Sequence, residues 1–171
     1  ASAYRGDNES APGSTAAAVV VGQISEQEAA DLAYMREEEK LAHDVYVALH
    51  EEWGQPTFSN IAKSEQTHTD AIKTLLDRYG VVDPTVGKAV GEFTDPRLQE
   101  LYTTLVAQGS RSLADALKVG AAIEEIDILD LQRAIAATDE AAIKLVYQNL
   151  LNGSQSHLRS FASTLERVTG E

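Results

Sequence analysis

Carboxylate and imidazole side chains occur at helical spacing in four stretches of this 171-residue chain. Six residues show the pattern, namely Glu39, Glu65, His68, Glu124, Asp127 and His157. In each stretch they continue the three-and-four spacing of the apolar residues, so they would lie on the buried stripe of an amphipathic helix. An unpaired buried carboxylate costs several kcal/mol, and Lys and Arg are scarce on these stripes. The inward acids therefore need a partner other than an ordinary ion pair.

Two divalent metal ions would be such a partner. The four acids among the six residues carry a total charge of −4, which two divalent ions neutralise, and the two imidazoles complete the ligand set. Glu65 and His68 stand three residues apart, so both lie on one helix face and reach the same metal pair. Carboxylates with imidazoles suit iron, manganese or zinc, and the absence of Cys disfavours copper(I).

Neighbouring acids leave some of these assignments open. In the run of three consecutive glutamates we expect only one to point inward, namely Glu39, with Glu38 as its substitute. Glu125 replaces Glu124 if the helical phase slips by one residue. Asp127 is either a metal ligand or the acceptor of a hydrogen bond from a ligand histidine.

Helices of conventional length are needed to position these residues. Ser25 and Glu28 have the form of a capping box and open the first long helix, which ends at Gly54. Further helices are predicted at about 57–79, 98–107 and 112–137, and from a cap at Thr138 towards residue 168. The Asn152–Gly153 pair predicts a kink or local bulge in the last helix. This pattern predicts an all-α, antiparallel four-helix bundle whose long crossover connection carries a short extra helix.

The overall composition excludes several classes of function. Fourteen basic and 27 acidic residues give a net charge of −13, which argues against nucleic acid or an anionic membrane surface as a partner. The longest apolar run, residues 16–21, is too short to span a bilayer. The absence of Cys excludes disulfides, thiolate metal sites and a catalytic thiol. Residues 1–24 are rich in Ala, Ser and Gly, so we expect a flexible tail followed by one domain over 25–171.

Several motifs resemble those of known metalloproteins. The sequence Glu-Gln-Thr-His at 65–68 has the Glu-x-x-His form of ferritin-like di-iron carboxylate proteins. Glu39 followed by Ala42 and Tyr46 resembles the first helix of rubrerythrins, and the acids at 124 and 127 are similar to their third. Over residues 26–168 the chain resembles an uncharacterised ferritin-like family, domain of unknown function 2202. The stretches that carry this resemblance are 36–42, 64–68, 120–128 and 153–158.

The resemblance implies a ferritin-like bundle with a di-metal centre, in which iron is favoured and manganese and zinc are alternatives. The family has no assigned activity, so our first hypothesis is an oxidoreductase of the ferritin-like di-metal type, such as a di-iron oxidase or peroxidase, that reacts with oxygen or peroxide. The alternatives are a non-catalytic metal-binding or iron-storage protein, and a structural bundle that no longer binds metal. One departure concerns the fourth long helix, where Ser154 stands three residues before His157 in place of a second Glu-x-x-His carboxylate. Either Asp127 or Glu125 replaces that ligand, or the second metal site is weaker.

Composition gives weaker expectations about assembly and compartment. A homodimer is compatible with this reading. The small-residue tail and the absence of Cys favour an exported protein, from which a signal has been removed, over a cytoplasmic one. A chain trimmed for expression would have the same appearance.

Overall fold

The structure, a computed structural model, describes residues 23–170. They form five α-helices and, within that range, no β-strand, so the predicted all-helical class is confirmed. No helix in the described range is long and apolar enough to cross a membrane. The flexible tail predicted for 1–24 lies, except for its last two residues, outside the described residues. The helices are α1 (Glu26–Trp53), α2 (Pro56–Tyr79), α3 (Pro96–Gly109), α4 (Leu113–Ala136) and α5 (Ala141–Thr169).

The ends of α1 and α2 follow from local capping groups. The Ser25 hydroxyl accepts a hydrogen bond from the Glu28 amide, and the Glu28 carboxylate accepts one from the Ser25 amide. This is the predicted capping box, and it begins α1. Gly54 and Gly80 adopt left-handed φ angles of 64° and 66° and end α1 and α2.

One prediction about α5 was wrong. Its N-cap is Glu140 rather than Thr138, whose hydroxyl instead accepts a hydrogen bond from the Glu140 amide before the helix begins. The helix continues without a break through Asn152 and Gly153, and the kink expected there stays a prediction. The glycine meets a packing requirement, because a Cβ there would lie 2.5 Å from Cε1 of the His68 ring.

Two apolar clusters fill the interior between the long helices. The first cluster contains residues from the C-terminal half of α1, the N-terminal part of α2, the N-terminal part of α4 and the C-terminal part of α5. It is centred on Tyr46, Phe58 and Phe161. The second cluster contains residues from the opposite ends of the same four helices and is centred on Leu32 and Tyr147. The helices within each of the pairs α1–α2 and α4–α5 therefore run antiparallel. The connection between the pairs carries α3, which packs on α1 and α4.

Candidate metal centre

A layer of ionisable side chains separates the two apolar clusters. All six residues selected from the sequence lie in it, and Glu39, Glu65 and Glu124 are fully excluded from solvent. The layer takes its residues from the middle of α1, α2, α4 and α5, between the stretches that supply the two clusters. We call it the ionisable layer, and it consists of Glu38, Glu39, Glu65, His68, Glu124, Asp127 and His157.

Glu65 occupies the centre of the ionisable layer. Its Oε2 lies 3.0 Å from Nδ1 of His68, and its Oε1 lies 2.8 Å from Nδ1 of His157. The two imidazole rings stack with their centroids 5.5 Å apart. A single carboxylate thus directs one oxygen to each of two histidines, as a carboxylate that bridges two metal ions would.

Each histidine also faces a second carboxylate. Nδ1 of His68 lies 3.3 Å from Oε2 of Glu39, and Nδ1 of His157 lies 3.3 Å from Oε1 of Glu124. The ligand-type atoms of each group of three lie within 4.8 Å of one another. The first triad is Glu39, Glu65 and His68, and the second triad is Glu65, Glu124 and His157. Each triad offers two carboxylates and one imidazole, and the two share Glu65.

The carboxylates of the triads are in an electrostatically unfavourable environment. Burial raises the pKa of Glu39 well above its usual range, and repulsion from Glu65 raises it further. Burial likewise raises the pKa of Glu65, with repulsion from Glu124 as the next cause. Within residues 23–170 no Lys or Arg nitrogen lies within 4.0 Å of these three carboxylates. Oε1 of Glu39 and Oε2 of Glu124 also lack a hydrogen-bond partner.

Neutral polar groups hold two of the triad side chains in place. The Tyr46 hydroxyl donates to Oε1 of Glu124 at 3.0 Å. Nε2 of His157 lies 2.9 Å from the hydroxyl oxygen of Ser64. Sequence reasoning did not select Ser64, because it precedes Glu65 without belonging to the apolar stripe. Its only sequence signal is this adjacency to the motif.

The prediction that only one of the three consecutive glutamates points inward was wrong. Glu37, Glu38 and Glu39 are 3%, 3% and 0% exposed. Glu39 joins the first triad, Glu38 lies near Asp127, and Glu37 accepts hydrogen bonds from two backbone amides just before α3. The physical reason is that α1 packs against α2, α3 and α4, so little of its middle turns is left exposed to solvent.

The acids predicted on α4 have different surroundings. Glu124 is buried in the second triad, whereas Glu125 is exposed, so the alternative phase of this helix is wrong. Asp127 is buried in the ionisable layer but belongs to neither triad. Its Oδ2 accepts a hydrogen bond from the Ser154 hydroxyl. Ser154 stands three residues before His157, at the spacing that separates Glu65 from His68.

Comparison with known proteins identifies the family. Residues 28–171 match the uncharacterized protein domain DUF2202. The chain belongs to the DUF2202 family. The uncharacterized protein MJ0754 of Methanocaldococcus jannaschii is 51% identical over 142 residues, which are 83% of this chain and 77% of that protein. A crystal structure of the hypothetical protein MJ0754 from Methanococcus jannaschii matches with a TM-score of 0.85 at 50% identity, covering 86% of this chain and 84% of that chain.

Proposed function

We propose that this DUF2202 protein is a ferritin-like four-helix-bundle protein that binds two divalent metal ions, with iron as the favoured metal. The observation that carries the proposal is the pair of triads that share Glu65. Each triad supplies two carboxylates and one imidazole, a donor set that suits iron, manganese or zinc. The unpartnered oxygens of Glu39 and Glu124 support the same conclusion, since cations would complete their coordination.

Within this proposal the side chains have separate tasks. Glu39, Glu65 and His68 would hold one ion, and Glu65, Glu124 and His157 would hold the other, so that Glu65 would serve both. With Nδ1 of His157 as the ligand atom, Nε2 would carry the ring proton and donate it to the Ser64 hydroxyl oxygen, 2.9 Å away. The three triad carboxylates are fully buried between the two apolar clusters, which strengthens the charge interactions among them.

We further propose that the protein is an oxidoreductase that acts on oxygen or peroxide. Two ferrous ions in the triads would supply electrons and a template for the reduction of either oxidant. Tyr46 supports this chemistry by donating a hydrogen bond to Glu124. Burial and repulsion from Glu124 raise the pKa of its phenol well above the usual value, so the hydroxyl keeps its proton at neutral pH.

The second candidate function is metal binding without turnover, as in buffering or storage. Ser154 favours this function. It stands three residues before His157 on α5, as Glu65 stands three residues before His68 on α2. At this position α5 therefore has a hydroxyl where α2 has a carboxylate. The second triad therefore takes no carboxylate from α5 and depends on Glu65 of α2 and Glu124 of α4.

An iron-oxidation assay separates these functions. The protein is filled anaerobically with Fe(II), mixed with oxygen or peroxide, and followed by the absorbance of Fe(III). An oxidoreductase oxidises about two bound ions per chain faster than a control without protein, and faster than the double variant Glu65→Ala/His68→Ala. The variant Glu125→Gln is the matched control, because it removes an exposed acid next to the second triad and should behave as wild type.

Other results of the assay would contradict the proposal. Bound iron that oxidises no faster than free iron would refute the oxidoreductase and favour metal binding without turnover. For that function, light scattering distinguishes a large storage cage from a monomer or dimer. No binding of iron, manganese or zinc would refute both functions and favour a structural bundle.

A further inference from the structure

A cleft of about 410 Å³ lies between residues 57–61 of α2 and residues 156–167 of α5. We call it the α2–α5 cleft. Arg159 and Arg167 line it, together with hydroxyl side chains from both helices and the amide of Asn60. Of the residues from 23 to 170 that line it, none carries a carboxylate and none belongs to a triad. Its volume is in the range of pockets that hold small molecules.

The α2–α5 cleft lies in a part of the chain without acidic residues. Asp and Glu make up 27 of the 171 residues, yet none occurs in 56–64 or 141–165, which supply all the lining residues except Arg167. The first acid after these residues of α5 is Glu166, which does not line the cleft. In a chain with a net charge of −13, the cleft is therefore a local basic surface that attracts small anions.

The two arginines of the cleft are not neutralised by neighbouring acids. Within residues 23–170 no carboxylate oxygen lies within 4.0 Å of the guanidinium of Arg159 or Arg167. By contrast, Arg36, Arg97 and Arg133 are each ion-paired with an aspartate. Both positive charges of the cleft can therefore pair with an anionic ligand.

Hydrogen bonds hold one of these arginines beside the hydroxyl groups of the cleft. Nη2 of Arg167 donates to Oγ1 of Thr164 at 3.2 Å, and Thr164 is buried. The same Oγ1 lies 3.1 Å from Oγ1 of Thr57, so the contact joins α5 to α2. Three more hydroxyl groups line the cleft from α5, namely those of Ser156, Ser160 and Ser163. The cleft thus combines two guanidinium groups with several neutral hydrogen-bond donors.

We propose that the α2–α5 cleft binds a phosphate group, either as the free ion or as part of a small molecule. A guanidinium forms paired, charge-assisted hydrogen bonds with phosphate oxygens, and Ser and Thr hydroxyls donate to the same oxygens. A long polyanion is a poor ligand, because the net charge of the chain repels it outside the cleft. This inference goes beyond the proposed function and does not depend on it, since no triad residue lines the cleft.

Calorimetric titration of the full chain with inorganic phosphate, and separately with glycerol 3-phosphate, tests this site. Salt at about 0.15 M screens non-specific attraction. Wild type should bind one phosphate group per chain, and Arg159→Gln and Arg167→Gln should each weaken binding about 10-fold or more. Arg111→Gln is the matched control, because it removes the same charge from an exposed arginine outside the cleft and should bind as wild type does. Tighter binding of glycerol 3-phosphate would identify a phosphorylated small molecule as the ligand, whereas equal affinities would identify the free ion.

A second measurement locates the bound phosphate without a variant. Phenylglyoxal modifies arginine side chains, and mass spectrometry gives the extent of modification at each position. Inorganic phosphate should protect Arg159 and Arg167 of wild type, while Arg111 should react equally with and without it. This result is independent of whether a variant folds.

The opposing outcomes separate this inference from the proposed function. No heat of binding with either probe, or no protection of the two cleft arginines, would overturn it. Binding that weakens equally in Arg111→Gln would mean non-specific attraction and would overturn it as well. Phosphate binding that survives in both cleft variants but is lost in Glu65→Ala/His68→Ala would assign the anion to the metal centre instead. A failure of the triads to bind metal would refute the proposed function and leave phosphate binding in the cleft unchanged.

Discussion

Replacing Gly153 with Ala should disable the first triad. An added Cβ would lie 2.5 Å from Cε1 and 2.7 Å from Nε2 of His68, but 3.8 Å from Nδ1. An ordinary contact is at least 3.4 Å, so the ring must shift by about 0.9 Å. Such a shift either turns the ring or pushes Nδ1 into Glu39 and Glu65, whose oxygens lie 3.3 and 3.0 Å away.

The expected magnitudes follow from opposing effects. Gly→Ala inside a helix stabilises by about 0.5–1 kcal/mol, whereas overpacking a filled core costs about 1–3 kcal/mol. Without metal, the Gly153→Ala variant should therefore lose up to about 2.5 kcal/mol in free energy of unfolding. Affinity at the first triad should fall at least about 100-fold, because disturbing even the outer partners of metal ligands costs about 10- to 100-fold.

Two measurements check this prediction. Urea unfolding in EDTA gives the change in stability, and a titration with Co(II), followed by its visible absorption, counts the histidine-bound ions. Gly153→Ala should bind one such ion tightly, where wild type binds two. Asn152→Ala changes the exposed neighbour on the same helix and should retain both. If Gly153→Ala binds two ions with wild-type affinity and gains about 1 kcal/mol in stability, the close packing of α5 on His68 is wrong.

Three more perturbations test the charges and hydrogen bonds of the layer. In EDTA, the free energy of unfolding should fall as the pH rises above about 4.5, because Glu39 and Glu65 keep protons in the folded state that the unfolded chain has lost. The slope is up to about 1.4 kcal/mol per pH unit for each retained proton, and urea unfolding that shows rising stability would refute it. Tyr46→Phe removes the hydroxyl that donates a hydrogen bond to Glu124. Calorimetric titration should therefore show a metal affinity at the second triad that is lower by about 10- to 100-fold. Unchanged affinity would mean that Tyr46 does not position Glu124 as a ligand. Ser154→Glu restores the second Glu-x-x-His and should tighten metal binding in competition with a chelator, while it destabilises the metal-free protein by burying another carboxylate. Weaker binding would mean that α5 does not face the second triad as described.

The helices and the triad residues could be predicted because their determinants are local. Glu65 and His68 interrupt an apolar stripe at a spacing of three residues, which places them on one helix face whatever packs against it. Gly80 ends α2 for an equally local reason, since its left-handed φ angle suits a residue without a side chain. For such features periodicity and capping are sufficient information.

The features that could not be predicted depend on contacts between distant parts of the chain. Periodicity assigns one buried stripe to a helix, so it gave no sign that α3 and α4 also cover α1 and bury Glu37 and Glu38. Gly153 resembles a helix breaker in the sequence, yet it is needed where α5 meets a ring on α2. Asp127 is on the buried stripe as expected, but its hydrogen bond from Ser154 depends on how α5 packs against α4.

Metal content is the most direct test of the central claim that the two triads bind metal. Protein purified without a metal-affinity tag is reconstituted anaerobically with Fe(II), desalted, and measured by elemental mass spectrometry beside Glu65→Ala/His68→Ala. We expect about two equivalents of iron in wild type and a large loss in the double variant, since Glu65 contributes to both triads. Equal iron in both proteins, or none in either, would contradict the claim.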